Sequence, residues 1–271
     1  MDIKKIDVII PVYRPGKEFT KLLEQLELQD YPISRIIIMH TEDGLWKEKW
    51  EKEHPILEVY HLKKTEFGGT RKKASELSDG EIMIFMTQDA SPADTHLITH
   101  LVKALTAQDD IAAAYARQLP APSCSFVESY TRTFNYPEKS SVKTKKDLSV
   151  YGIKTFFCSN VCAAYKKDIY EKLGGFVEKT IFNEDMIYAA RLIQNGFGIH
   201  EIFDSVPSEG EGIRLVKKTA VHLLKSGKWY LIPGFILQSG CKYAGYLTGK
   251  RYRKLPRKLL LWCTMNKSYW K

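Results

Sequence analysis

The sequence predicts an α/β fold, built from a mostly parallel sheet with helices on its faces. Short apolar runs alternate with amphipathic stretches along the first half of the chain, and turn-forming residues separate them. Alternating strand and helix signals are typical of parallel sheets, because each parallel strand needs a crossover to reach the next. The chain has 271 residues and is 44% hydrophobic, so it can bury a sizeable core.

Four apolar runs in the first third of the chain are predicted strands. They are KIDVIIPVY (5–13), RIIIMH (35–40), ILEVYHL (56–62) and EIMIFMT (81–87). Helical patterns lie between them, because apolar residues recur at helical spacing after the turn at Pro15-Gly16. A short helix is predicted at 45–54, which Pro55 ends, and another at 70–78.

The rest of the α/β region continues the alternation with one interruption. A helix is predicted at 95–108 and a strand at IAAAYARQL (111–119), whereas residues 120–150 show no clear period and are predicted to form a long loop. The compact apolar run FFCSNVCAAY (156–165) is a predicted strand. NEDMIYAARLIQNG (183–196) is a predicted helix, because acidic residues open it and Asn-Gly stops it.

Asp89 directly follows the fourth of these strands, in the stretch IFMTQDASP (84–92). In open α/β sheets, ligands bind beyond the carboxyl ends of the strands. That rule gathers Tyr13, residues 41–43 and residues 67–71 along one edge with Asp89. Asp, Ser and Pro also favour turns, so an ordinary turn stays open as the alternative.

The stretch FGGTRKKA (67–74) combines a predicted Gly-Gly turn with the start of a helix. Thr70 is the candidate N-cap, and Arg71 is the first of three cations. Glycines let the backbone approach a phosphate, a helix N-terminus favours anions, and Arg71 could add charge-assisted hydrogen bonds. The alternative is a plain loop–helix junction with a solvated basic face. The stretch does not match the Walker pattern, which disfavours a P-loop nucleotidase.

Two acidic positions carry the predicted chemistry. Asp89 could bind Mg²⁺ or Mn²⁺, because these ions favour carboxylate oxygen and often take only one or two protein carboxylates beside water and phosphates. Glu184 and Asp185 open a predicted helix, where acids also stabilise the helix dipole. The functional alternative is a general base, since a carboxylate can remove a proton from an attacking hydroxyl.

The ordered set of motifs resembles family 2 glycosyltransferases with a GT-A fold, and within them the bacterial rhamnosyltransferases. The resemblance covers roughly residues 5–196 and extends to the VPSEGEGI and GKWYLIP stretches. It rests on six motifs in order: IDVIIPVYRP, FGGTRKKA, FMTQDA, FFCSNVCAAY, GGF and NEDMIYAARLIQNG. It implies inverting transfer of a sugar, with dTDP-rhamnose as the expected donor, to a hydroxyl of a lipid-linked or polysaccharide acceptor.

The resemblance also implies roles for particular residues. Pro11 and Tyr13 would lie at the nucleotide base, Arg71 would face the diphosphate, and Asp185 would be the catalytic base. Thr41, Gln88 and Asp89 would complete the donor site, with Asp89 as metal ligand for Mg²⁺ or Mn²⁺, and Asn160 and Glu184 would lie on the acceptor side.

Two departures from the family pattern stand out. Thr87-Gln88-Asp89 takes the place of the D-x-D motif, so its first acid is absent and weaker metal binding is expected. After residue 198, a further strand, often with a His, and a connecting segment of a few tens of residues are expected to be missing. A non-catalytic or weakly active, membrane-associated nucleotide-sugar-binding protein is therefore the alternative function.

The net positive charge of the chain comes entirely from its C-terminal part. Residues 212–271 hold 14 Lys and Arg and no Asp or Glu, whereas the whole chain has a formal charge of +9. We therefore expect a catalytic domain at 1–211 and a basic amphipathic helical extension at 212–271. The extension is expected to bind an anionic membrane surface, or to pack on the catalytic domain as a cap.

Cellular location and other partners follow from the same composition. Five scattered cysteines form no disulfide framework and favour a reducing cytoplasm, so the protein is expected peripherally at the inner face of the cell membrane. The longest charge-free run of the extension, WYLIPGFILQSGC, is too short to span a bilayer, which needs about 20 apolar residues. Nucleic acid is not an expected partner, because no known binding motif accompanies the charge.

Overall fold

A computed structural model describes residues 3–63, 67–121, 124–135, 140–178, 180, 183–202, 211–250 and 255–258. The chain forms two compact units. The first contains Met1–Gln118 and Tyr136–Ser208, and the second contains Leu119–Asn135 and Glu209–Lys271. The strands described below all belong to the first unit, and three of the helices belong to the second.

The first unit is built on one eight-stranded mixed sheet with the order β3-β2-β1-β4-β7-β5-β8-β6. Its strands are β1 (Ile6–Val12), β2 (Arg35–Thr41), β3 (Leu57–Leu62), β4 (Ile82–Met86), β5 (Ile111–Ala116), β6 (Ser141–Lys143), β7 (Cys162–Lys166) and β8 (Gly198–Ile202). The pairs β1–β2, β2–β3, β1–β4 and β5–β8 are parallel, whereas β7 is antiparallel to both β4 and β5, and β6 to β8.

This strand order brings the carboxyl ends of six strands to one edge. Because β4 and β5 both run antiparallel to β7, they point in the same direction. The carboxyl ends of β1 to β5 and of β8 therefore lie at the same edge of the sheet, which is where the motifs of the sequence fall.

Helices cover both faces of this sheet. Those of the first unit are α1 (Lys17–Glu27), α2 (Lys49–Glu53), α3 (Phe67–Leu77), α4 (Leu97–Thr106), α6 (Leu148–Tyr151), α7 (Lys167–Lys172) and α8 (Glu184–Gln194). Alternate residues of β1 serve the two faces: Ile6, Val8 and Ile10 pack in one core, and Ile9 packs in the other. The period of two in a strand explains this division.

The second unit is helical. It contains α5 (Phe126–Asn135), α9 (Glu211–Lys225) and α10 (Ile232–Lys250). The ring of His222 stacks on those of Phe126 and Tyr130, with centroid distances of 5.0 and 4.3 Å. Among the helices that the structure describes, none combines the length and apolar character that crossing a bilayer would need.

Four sequence predictions differ from this fold. Residues 120–150 are no simple loop, since they contain α5, β6 and α6. The strand predicted at 156–165 begins only at Cys162, because 3₁₀ turns and an irregular segment come before it. The Gly-Gly pair lies within the first turn of α3, so Thr70 is inside that helix and is not its N-cap. The further strand expected to be missing is present as β8 and carries His200.

Candidate active site

Gln88 joins the chain segments that leave the two central strands β1 and β4. Its Oε1 accepts a hydrogen bond from the Tyr13 backbone N–H at 2.8 Å, and its Nε2 donates to the Tyr13 carbonyl at 2.8 Å. Both polar atoms of the Gln88 side chain are thus used to hold the backbone after β1, and we call this pair of hydrogen bonds the Gln88 bracket. The ring of Tyr13 remains about half exposed beside this bracket, and Pro11 is half-buried within β1.

Asp43 holds a second pair of loops at this edge. Its Oδ2 accepts from the Arg14 N–H at 2.5 Å and its Oδ1 from the Leu45 N–H at 2.7 Å. Arg14 has a φ of +52°, a left-handed conformation that these contacts stabilise. Burial opposes ionisation of Asp43, but the two N–H groups and His40 hold its pKa below the usual range. Thr41, the last residue of β2, is buried.

Asp185 lies in the first turn of α8 with both carboxylate oxygens occupied by backbone donors. Its Oδ2 accepts from the Asn160 N–H at 3.1 Å and its Oδ1 from the Met186 N–H at 2.8 Å. Burial raises the pKa of Asp185 above its ordinary value; the two N–H donors lower it, neighbouring Glu184 raises it further, and Arg71 lowers it. The result is a carboxylate that is held in place and is a stronger base than an exposed aspartate.

Arg71 and Glu184 form a buried ion pair that ties α3 to the start of α8. The Arg71 Nη1 donates to Glu184 Oε1, and both side chains are more than nine-tenths buried. The Nε of Arg71 is buried with no hydrogen-bond partner in the described part of the chain. Arg71, which is predicted to face the diphosphate, is therefore paired with Glu184, which is predicted to lie on the acceptor side.

A backbone contact connects the Gln88 bracket to the Asp185 turn. The Thr87 N–H donates to the Val161 carbonyl at 3.2 Å, immediately after the last pair of the β4–β7 ladder, Met86 with Cys162. The structure thus brings together the segment with Gln88 and Asp89 and the turn with Asn160, which contacts Asp185. The side chain of Asp89 is exposed and makes no hydrogen bond or ion pair with the residues that the structure describes.

Sequence reasoning missed a buried charge cluster at the far end of the same edge. Lys143 Nζ lies 2.8 Å from Glu201 Oε2 and donates to the Tyr115 hydroxyl at 2.6 Å. Lys143 and Glu201 are each 1% exposed, and burial lowers the pKa of Lys143. No local signal marked these residues, because Lys143 lies in the aperiodic stretch and meets Glu201 only through the pairing of β6 with β8.

Comparison with known proteins identifies the family. The profile described as glycosyl transferase family 2 matches residues 7–174. The chain is 32% identical to O-antigen chain rhamnosyltransferase RfbN of Salmonella typhimurium, over 98% of this chain and 96% of that protein. It is 33% identical to O-antigen chain rhamnosyltransferase WbaN of Salmonella anatum, over 75% of each chain.

Solved structures share the fold at low sequence identity. The mannosyltransferase PcManGT from Pyrobaculum calidifontis, in complex with GDP-Man and Mn²⁺, has a TM-score of 0.56 and 17% identity over 98% of this chain and 84% of its own. TarS of S. aureus has a TM-score of 0.57 and 18% identity, over 81% of this chain and 40% of its own. The fold is that of the GT-A glycosyltransferases, and the chain belongs to glycosyl transferase family 2.

Proposed function

We propose that this glycosyltransferase moves rhamnose from dTDP-rhamnose to a hydroxyl of a lipid-linked or polysaccharide acceptor, with inversion at the anomeric carbon. The observation that carries the proposal is Asp185, a buried carboxylate with a raised pKa, held by two backbone N–H groups at the ligand-binding edge of the sheet. The choice of rhamnose is supported by the names of the two Salmonella relatives.

In this mechanism, Asp185 takes the proton of the attacking acceptor hydroxyl. The acceptor oxygen forms a bond to the anomeric carbon of the donor on the face opposite the diphosphate, and the bond between that carbon and the phosphate oxygen breaks. The nucleoside diphosphate leaves with the electron pair. One displacement on the far face inverts the anomeric configuration, and a base with a raised pKa suits the proton transfer.

The donor would lie along the Gln88 bracket. The exposed ring of Tyr13 offers a surface for the nucleotide base, and Gln88 holds the backbone of Tyr13 in place. Pro11 and Thr41, near the carboxyl ends of β1 and β2, would complete this part of the donor site. Arg71 would reach the diphosphate from α3, where its unpartnered buried Nε supports a role beyond the pair with Glu184. Glu184 and Asn160 flank Asp185 on the acceptor side.

Asp89 is the carboxylate that we propose as ligand of a divalent cation. Within the described residues, no three His, Cys, Asp or Glu side chains form a group that could hold a metal ion. Asp89 is nevertheless exposed and unpaired, which fits Mg²⁺ or Mn²⁺ held by one carboxylate together with water and phosphate oxygens. When bound there, the ion would neutralise negative charge on the departing diphosphate.

A panel of nucleotide sugars tests the proposed reaction. Transfer to membrane-extracted acceptor, and slow donor hydrolysis, are measured for dTDP-rhamnose, GDP-mannose and UDP-GlcNAc with Mg²⁺, Mn²⁺ or EDTA. We expect consumption of dTDP-rhamnose above the others, and an inverted anomeric product. Consumption of another donor in its place overturns the choice of rhamnose, and consumption of none overturns the proposed function.

The pH dependence of transfer gives a separate prediction. Asp185 must be ionised to accept a proton, and its pKa is raised by burial. As pH falls through that raised pKa, kcat/KM should decline, so the acidic limb should lie above the ordinary Asp value of about 3.9. A limb at or below that value, measured with buffers of constant ionic strength, would contradict the assignment.

A nucleotide-sugar-binding protein with little turnover is the second candidate. The alignment with RfbN extends over 303 positions, whereas this chain has 271 residues, so at least 32 of those positions have no counterpart here. Residues 203–210, which follow β8, lie outside the described residues. Donor binding by calorimetry without consumption of the donor would favour this candidate, and repeated turnover would exclude it.

We further propose that the helical unit binds the inner face of the cell membrane from the cytoplasm. Among the described residues of this unit, seven large apolar side chains are more than half exposed: Leu119, Leu224, Trp229, Tyr230, Ile236, Leu237 and Tyr243. The same part of the chain is strongly basic, because residues 212–271 contain 14 Lys and Arg and no Asp or Glu. Interfacial aromatic residues beside basic side chains suit the surface of an anionic bilayer.

Vesicle binding tests the membrane proposal with the full chain. We expect sedimentation with vesicles of phosphatidylglycerol and phosphatidylethanolamine but little with phosphatidylcholine, since each Lys or Arg near anionic lipid contributes about 1 kcal/mol. The double change Ile236→Ser and Leu237→Ser should weaken binding at least tenfold. Ile153→Ser, an exposed apolar residue of the other unit, is the control. Equal binding to both lipid mixtures would argue against electrostatic attachment.

A further inference from the structure

The side chain of Asn160 has a hydrogen-bond partner at only one of its two ends. Asn160 is 4% exposed and lies in the turn before β7, and its Oδ1 accepts a hydrogen bond from the Tyr165 hydroxyl at 2.8 Å. Its Nδ2 is buried and has no hydrogen-bond partner in the described part of the chain. A buried donor without a partner is uncommon in folded proteins, and it calls for an explanation.

Neighbouring groups decide which end of the Asn160 amide faces Tyr165. The Tyr165 oxygen lies 3.3 Å from the Cys158 Sγ, and all three residues are more than nine-tenths buried. Burial raises the pKa of the Cys158 thiol to about 12 and that of Tyr165 well above its usual range, so both groups keep their protons. Thiol sulfur is a weak acceptor, so the Tyr165 hydroxyl donates best to an amide oxygen. The amino group of Asn160 is therefore the free end.

The same residue touches the catalytic base through its backbone. The Asn160 N–H donates to Asp185 Oδ2 at 3.1 Å. The residue that carries the Asn160 amide is therefore hydrogen-bonded to the carboxylate that would take the proton. An amide N–H₂ is a donor with no charge, and its natural partner is a neutral oxygen such as a sugar hydroxyl. A diphosphate would call for cations, and residues 157–161 of this turn include no Lys or Arg.

We propose that Asn160 Nδ2 donates a hydrogen bond to a second hydroxyl of the acceptor, next to the hydroxyl that Asp185 deprotonates, and that Tyr165 is the positioning residue that aims this donor. The inference rests on the proposed transfer reaction and narrows its acceptor class to a sugar with neighbouring hydroxyls. Such a two-point contact would orient the acceptor, since the attacked hydroxyl alone leaves rotation about its own bond free.

Deoxygenated acceptors test this assignment directly. Octyl hexopyranosides that the wild-type enzyme uses are compared with their monodeoxy derivatives, in which the hydroxyl beside the attacked one is replaced by hydrogen. We expect the kcat/KM of the wild type to be 10- to 100-fold lower for the deoxy acceptor, because a site that hydrogen-bonds a hydroxyl disfavours an analogue that lacks it. Asn160→Ala should lose a similar factor on the parent acceptor and discriminate less than twofold between the two.

Tyr165→Phe separates positioning from contact. Without the hydroxyl, the Asn160 amide is free to turn, so we expect lower kcat/KM and weaker discrimination, with the donor dissociation constant unchanged. Cys158→Ala removes only the thiol that contacts the Tyr165 hydroxyl, and this variant should have the same kcat/KM and discrimination as the wild type. Circular dichroism melting curves show whether each variant remains folded, and Asn160→Leu, which is similar in size and has no donor, replaces Asn160→Ala if that variant does not fold.

Different results count against different statements. If the wild type transfers sugar and Asn160→Ala or Asn160→Leu still discriminates as strongly as the wild type, the role of Asn160 is wrong while the transfer reaction stands. If the wild type transfers sugar to membrane extract but to no hexoside, the sugar-diol acceptor is wrong. If no donor is consumed with any acceptor, the transfer reaction itself fails, and the inference fails with it.

Discussion

Asp185→Asn is expected to lower the transfer rate by about 10²- to 10⁴-fold, the range that a positioned general base contributes. The substitution keeps the shape of the side chain, and its carbonyl oxygen can still accept one of the two backbone N–H groups that hold Asp185. It cannot accept the proton of the acceptor hydroxyl. The measurement is the initial rate at saturating donor and acceptor, with dTDP-rhamnose as donor.

Donor binding should change little in the same variant, because the donor site that we propose lies along Tyr13, Gln88 and Asp89. We expect the dissociation constant from calorimetry to stay within about threefold of the wild-type value. Asp110→Asn, an exposed position in the same unit, is the matched control and should leave both quantities unchanged. Lost binding together with ordinary turnover would reverse the assignment and place Asp185 at the donor.

The parallel half of the sheet could be predicted because its signals are local. β1 to β4 have five to seven residues each and are mostly apolar, and the loops between them contain residues that break strands and helices. The rule that ligands bind beyond the carboxyl ends of strands then brought Tyr13 and Asp89 to one edge. The structure places both there, on chain segments that Gln88 joins.

The irregular middle of the chain could not be predicted in the same way. β6 has only three residues, Ser141–Lys143, and becomes a strand through its pairing with β8. The apolar run at 156–165 begins on the last residue of a 3₁₀ helix and passes through a turn before β7, and a count of apolar residues cannot distinguish this from a longer strand. Gly68 and Gly69 lie within the first turn of α3, although glycines usually favour turns outside helices.

The partners of the site residues are also set by the folded chain. Gln88 is bonded to a residue 75 positions away, and Arg71 to one 113 positions away. Motif order can place each residue at the edge of the sheet, but it carries no information on which polar atom meets which. The bracket around Tyr13 and the Arg71–Glu184 pair therefore emerged only from three-dimensional contacts.

Breaking the Arg71–Glu184 pair is expected to have the largest effect on stability. Arg71→Met leaves the Glu184 carboxylate buried without its cation, and Glu184→Leu leaves the guanidinium without its anion. Each change should lower the free energy of unfolding by about 3–5 kcal/mol, because an uncompensated buried charge is costly. The double variant should recover most of that loss, since two apolar side chains replace the pair. Urea unfolding followed by fluorescence measures all three.

A neighbouring exposed pair provides the control for this prediction. Lys72 follows Arg71 in α3 and forms an ion pair with Glu178, whose side chain is 68% exposed. Lys72→Met should cost at most about 1 kcal/mol, because surface ion pairs contribute little. Equal losses for the two single variants and the double variant would show that packing, and not charge, holds α3 to α8.

Donor binding by the double variant separates the two roles of Arg71. If Arg71 only anchors the start of α8, the double variant should be stable and should bind dTDP-rhamnose as tightly as the wild type. If Arg71 also meets the diphosphate, as its unpartnered Nε supports, the double variant should be stable yet bind dTDP-rhamnose at least tenfold more weakly. A stable double variant with wild-type donor affinity would exclude Arg71 from the donor site, because neither the introduced methionine nor the introduced leucine carries a positive charge that could replace the guanidinium.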